Sequence, residues 1–154
     1  MSKKRSTLGL LSVLFLMAAM LGCSKGDFAT AKTIGIVKCK GQPVANAAVY
    51  FEPMEAAGSK NAKVGKQGFA FTDAEGKFVI STYVPAGGDG AVVGKHRVRV
   101  GRGDAKCDCS MNDEVDLMQV EVKSGQTNEF VIELKEATAA SKRQEAMLSD
   151  DEDE

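Results

Sequence analysis

The stretch Phe69-Ala70-Phe71-Thr72-Asp73-Ala74-Glu75-Gly76-Lys77-Phe78-Val79-Ile80-Ser81 decides the fold. Two runs rich in aromatic and β-branched residues flank the four residues Asp73-Ala74-Glu75-Gly76. An Asp at the start of a tight turn accepts backbone donors across it, and a Gly at its end takes the left-handed conformation without a Cβ penalty. The spacing therefore predicts a β-hairpin, with Phe78 and Ile80 on one face of the returning strand. A helix is excluded here, since the apolar residues recur at period two.

The same period extends outward in both directions. Upstream, Gly35, Val37 and Cys39 share a face while Lys38 and Lys40 point the other way. Lys40-Gly41-Gln42-Pro43 is a turn, Ala47, Val49 and Phe51 face inward, and Pro53 is expected to end that strand. Residues 54–66 form a loop without period. Downstream, Val84 to Gly94 carries Pro85 and four glycines and reads as a long surface loop. His96, Val98 and Val100 alternate with Lys95, Arg97 and Arg99. Residues 101–116 are a polar excursion holding Cys107 and Cys109, after which Met118-Val120-Val122 and Phe130-Ile132-Leu134 are two further alternating strands joined by Ser124-Gly125-Gln126-Thr127. Seven strands with one wet face each predict an all-β, antiparallel sandwich.

The ends differ from the body. Lys3, Lys4 and Arg5 precede the uncharged run Leu8 to Leu21, which closes on Met20-Leu21-Gly22-Cys23. A basic start, a short apolar run and a small residue at the cut make a secretory signal. The run is shorter than the ~20 residues of a spanning helix. All 21 acidic residues and 17 of the 20 Lys and Arg follow residue 22. Six of the acids lie in the last ten positions, so residues 136–154 read as a disordered, solvated acidic tail. The body between has no basic stripe, so nucleic acid is not expected as a partner.

Met20-Leu21-Gly22-Cys23 resembles the lipobox of bacterial lipoproteins. That resemblance implies cleavage between Gly22 and Cys23, diacylglyceryl attachment to the Cys23 thiol, and acylation of the new amino terminus by a fatty acid such as palmitate. Ser24 after the Cys is similar to the outer-membrane option of two-membrane bacteria, so the anchor is expected there, on the periplasmic or cell-surface face. Residues 1–22 are then a signal peptide and 23–32 a polar tether.

Three sets of residues carry a second resemblance. They are Gly35-x-Val37 with Gly41-x-Pro43-Val44-x-x-Ala47-x-Val49-x-Phe51-x-Pro53, Thr72-Asp73-Ala74-Glu75-Gly76-Lys77-Phe78, and Gly94 to Val100 with Gly125-x-x-Asn128-x-Phe130. Together they resemble the carboxypeptidase regulatory-like domain over residues 33–135. This implies a transthyretin-like (prealbumin-like) seven-stranded Greek-key sandwich, and these motifs build turns without carrying chemistry.

Catalysis is not expected. Hydrolases and iron dioxygenases of similar fold use several His, whereas this chain has one, His96, at a position read as half-buried in the sandwich. Lys38 and Lys40 point outward by the alternation and offer nothing to Asn128 for an isopeptide bond. With Cys23 assigned to lipid, Cys39, Cys107 and Cys109 remain, an odd number in an oxidising compartment. A disulfide can join Cys107 to Cys109, or either of them to Cys39; one thiol is left over or bridges to another molecule. Cys107, Cys109 and Met111 also alternate to one side of an extended loop, a soft donor set for copper or zinc. No cofactor is expected. The sequence reads as a membrane-anchored lipoprotein that displays a non-catalytic binding or structural domain to an envelope protein or glycan. The alternative is metal handling through the Cys107/Cys109/Met111 loop.

Overall fold

The computed structural model describes residues 28–56, 65–85 and 87–139. These residues are all-β. Ten strands run in chain order: β1 (Thr30–Ala31), β2 (Thr33–Cys39), β3 (Gln42–Pro43), β4 (Ala48–Ala56), β5 (Gly68–Phe71), β6 (Lys77–Val79), β7 (Ala91–Val92), β8 (Gly94–Gly101), β9 (Met118–Val122) and β10 (Asn128–Leu134). Each segment read as a strand from its alternation is one. The expected seven become ten through β1, β3 and β7, which are two residues each and too short to show a period.

Two four-stranded sheets form the body. One has the order β5-β4-β8-β9, antiparallel throughout. In the other, β10 covers one edge of β2, while β6 and β3 sit end to end along the opposite edge. β10 runs parallel to β2 over seven residues, from Asn128 beside Thr33 to Leu134 beside Cys39. The expectation of a purely antiparallel sandwich is corrected at this pair. Side-chain alternation has the same period in both kinds of ladder, so it assigns faces and leaves direction open. β1 and β7 make a small separate pair, Thr30 against Val92 and Ala31 against Ala91.

The stretch from Phe69 to Ser81 is a corner between the sheets. Its turn is as read: Asp73 Oδ1 accepts from Glu75 N at 3.0 Å and Lys77 N at 2.8 Å, and Gly76 has φ 73°. Its arms, expected to pair with each other, part instead. β5 bonds to β4 and β6 to β2, and the arms meet again only at the Phe69–Ser81 bridge. The corner is tied down by Thr72, whose buried hydroxyl donates to Val44 O at 2.7 Å and accepts from Ala47 N at 2.9 Å.

Two further expectations shift. β4 continues past Pro53, with a register irregularity between Pro53 and Glu55. β5 has already stopped pairing at Phe51, so Pro53 lies where β4 has an open edge and its missing N–H costs no ladder bond. The loop from Val84 to Gly94 is partly internal, because Ala91 and Val92 are buried against β1, inside the stretch read as tether.

The core lies between the facing sheets. Val37, Phe78, Ile80 and Ile132 come from one side, Val49, Phe51, Val98, Val100 and Val122 from the other. Phe51 is the hub, with ring centroids 6.1 Å from Phe78, 5.6 Å from Phe130 and 5.9 Å from His96. Gly35 is required at the centre of β2, where an added Cβ would meet the Phe130 carbonyl and the Phe78 ring.

Candidate functional site

The excursion after β8 brings the sulfur chemistry to the open end of β2. Alternation from Ala105 to Met111 sends Ala105, Cys109 and Met111 into the core, with Cys107 half-buried, and turns Lys106 and Asp108 outward. Backbone contacts hold this loop in place. Ser110 N donates to Lys135 O at 2.9 Å, Cys109 bridges to Glu136, and Val100 bridges to Asn112. Arg102 clamps it from within, its Nη1 donating to Cys107 O at 3.1 Å and its Nη2 to Cys109 O at 3.4 Å.

Cys39, the last residue of β2, is joined to Cys109 by a disulfide with Cα atoms 5.8 Å apart. Cys107 is a free thiol beside it, and the three Sγ atoms all lie within 4.8 Å of one another. Of the pairings open in the sequence, this one joins the strand to the loop. The donor set read from the loop alone therefore changes. Cys109 is engaged with Cys39, and Met111 is a core side chain at 3% exposure. Arg102 was not singled out by sequence; an Arg a few residues before two cysteines is a weak signal without the loop's geometry. Glu136, the first residue of the stretch read as tail, makes that bridge to Cys109.

His96 is fully buried rather than half-buried, because β8 is an interior strand covered by β4 and β9 on its edges and by Phe51 on its face. Its Nδ1 lies 3.0 Å from Gly94 O, and its Nε2 is buried without a hydrogen-bond partner. Burial pushes the imidazole pKa below its ordinary value, against a smaller opposing pull from the Gly94 carbonyl, so the ring is held neutral. Asn128 staples the turn between β9 and β10 through Lys123 N at 2.9 Å and Lys123 O at 3.0 Å. Lys40 is exposed and pairs with Glu136 at 3.5 Å.

An open groove runs where the arms of the Phe69–Ser81 corner part. Phe69, Phe71, Val79, Tyr83 and Val84 line it with Lys66 at its rim, and Phe71, Val79 and Val84 are exposed. Tyr83 also receives the start of the described chain: Phe28 N donates to its hydroxyl at 3.2 Å. Gly22, Cys23 and the acidic run at 145–154 lie outside the described residues. Among the described residues no helix is long and apolar enough to cross a membrane.

No protein-family model and no curated protein match this chain. Among solved structures it is similar to the crystal structure of a DUF3823 family protein from Parabacteroides merdae ATCC 43184. The two share 15% identity and a TM-score of 0.43, over 71% of this chain and 48% of the other. The chain thus spans about half the length of that protein.

Proposed function

We propose that this chain is a membrane-anchored lipoprotein of the bacterial envelope, displaying a non-catalytic, transthyretin-like β-sandwich as a binding or structural module. Its anchor is the acylated Cys23 in the outer membrane, and its partner is an envelope protein or glycan. The observation that carries this reading is the basic start, short apolar run and lipobox-like Met20-Leu21-Gly22-Cys23, and the link from Cys23 to the sandwich is short. Phe28 is already bonded to Tyr83, and β1 begins at Thr30. Five residue steps reach at most about 18 Å, so an anchor at Cys23 holds the Tyr83 end of the sandwich at the membrane surface. The groove beside Tyr83, with exposed Phe71, Val79 and Val84, is then the face nearest the membrane and whatever lies at its surface. Several acyl chains contribute ~0.8 kcal/mol per buried methylene, which makes such an anchor effectively permanent.

The test is fractionation of cells expressing the full chain or its Cys23→Ser variant, with mass analysis of the amino-terminal peptide. The unaltered chain should remain with membranes and carry diacylglyceryl on Cys23, and the variant should lose both properties. An unmodified Cys23 in a soluble chain would overturn the reading.

A further inference from the structure

We propose that Cys39, Cys107 and Cys109 form a redox-gated, three-thiolate site for Cu(I), closed while the Cys39–Cys109 disulfide is intact and open once it is reduced. The donor set differs from the one the loop sequence suggests, since β2 supplies the third sulfur.

Geometry is the first support. Metal–thiolate bonds of about 2.3 Å, the zinc value, place three sulfurs around one ion about 4 Å apart. Cys107 Sγ lies within 4.8 Å of both sulfurs of the Cys39–Cys109 disulfide, so once that bond is reduced its two sulfurs must separate to about 4 Å and Cys107 must close in by under about 1 Å to make a trigonal site. The choice of ion follows from the ligand number. Structural Zn(II) sites are closed by four protein ligands, and no fourth His, Cys, Asp or Glu belongs to this group among the described residues. Soft thiolates suit Cu(I) as well as zinc, and Cu(I) is satisfied by three sulfurs.

The surroundings suit the same ion. Cys109 is fully buried and Cys39 is 7% exposed, so water has little access, while half-buried Cys107 provides the way in. Three thiolates and Cu(I) carry a net charge of −2, and the Arg102 guanidinium, bonded to the carbonyls of Cys107 and Cys109, places a positive charge on the same loop. These bonds, with Ser110 N to Lys135 O and the Cys109–Glu136 bridge, hold the loop independently of the disulfide. The donors therefore remain near one another after reduction.

Opening the site requires a dithiol donor. It supplies two electrons and two protons, the Sγ–Sγ bond of Cys39 and Cys109 breaks to give two thiols, and the donor closes its own disulfide. Cu(I) then displaces the protons of the three thiols into solvent, with no change in its oxidation state.

The experiment uses the full chain in detergent with Cys23→Ser, which leaves three cysteines. Reduced and oxidised forms are titrated anaerobically with Cu(I) against a chromogenic chelator, while circular dichroism follows the strand content. The reduced form should take one Cu(I) per chain with a thiolate-to-copper charge-transfer band, and the oxidised form none. Cys39→Ser and Cys107→Ser should each weaken binding by about tenfold or more, since even outer-shell changes cost that much. Cys107→Ser leaves the Cys39–Cys109 pair untouched, so its reduced form compares directly with the reduced unaltered chain and its oxidised form shows that the variant folds. Failure of the reduced form to compete for Cu(I), unchanged affinity in Cys39→Ser, loss of strand content on reduction, or uptake of Zn(II) in preference to Cu(I) would each overturn the proposal.

Discussion

At Thr72 one oxygen makes two bonds, one to Ala47 N and one to Val44 O, and both partners are backbone groups with no route to water. Thr72→Val keeps the shape and strands both groups, at a cost of about 1–3 kcal/mol. Urea unfolding of the variant should show that loss, and Thr72→Ser should recover most of it. The opposite problem sits at His96, a buried ring that must stay neutral. Its pKa is lowered in the folded state, so the unfolded chain binds the extra proton. Stability is therefore intact above the unfolded value of about 6.5 and declines as pH falls from there toward the folded pKa. The urea midpoint should drop between pH 7 and pH 5, and His96→Phe should flatten that drop. The inward position of His96 was legible from its alternation with Val98 and Val100. Its depth was not, because depth depends on which strands cover β8.

Two elements carry most of what the sequence could not show. The Phe69–Ser81 stretch announced a turn through Asp73 and Gly76, but local residues cannot state which strand each arm will pair with. Here the partners are β4 and β2, both distant in sequence. The cysteine loop is the second. Its alternation predicted which side chains share a side, while the presence of Cys39 beside them depends on where β2 ends. The disulfide closes a loop with a sequence separation of 70. Constraint of the unfolded chain by a loop of that size contributes about 4 kcal/mol. Cys39→Ala combined with Cys109→Ala should lower the unfolding free energy by roughly that amount, as measured in denaturant, and Cys107→Ser alone should leave it nearly unchanged.

Over the whole molecule, the two sheets share one core with Phe51 at its centre, and the sandwich was readable because seven of its strands are long enough to alternate. The candidate site was readable in its residue types and incomplete in its membership, since membership is a tertiary fact. The final strand belongs to this scale too. β10 is the whole of one edge of β2 and contributes Asn128, Ile132 and Leu134 to the interior. A chain ending at residue 127 should give no cooperative unfolding transition by circular dichroism, because β2 loses an entire edge and the core two of its larger side chains. The parallel pairing of Thr33 with Asn128 also imposes an order in time. A chain delivered from its amino terminus exposes β2 long before its partner emerges, and long-range pairing of this kind is slow to form. The sheet cannot close before residues 128–134 have been made, so β2 must wait, unpaired along that edge, through the synthesis of the nearly ninety residues between the two strands.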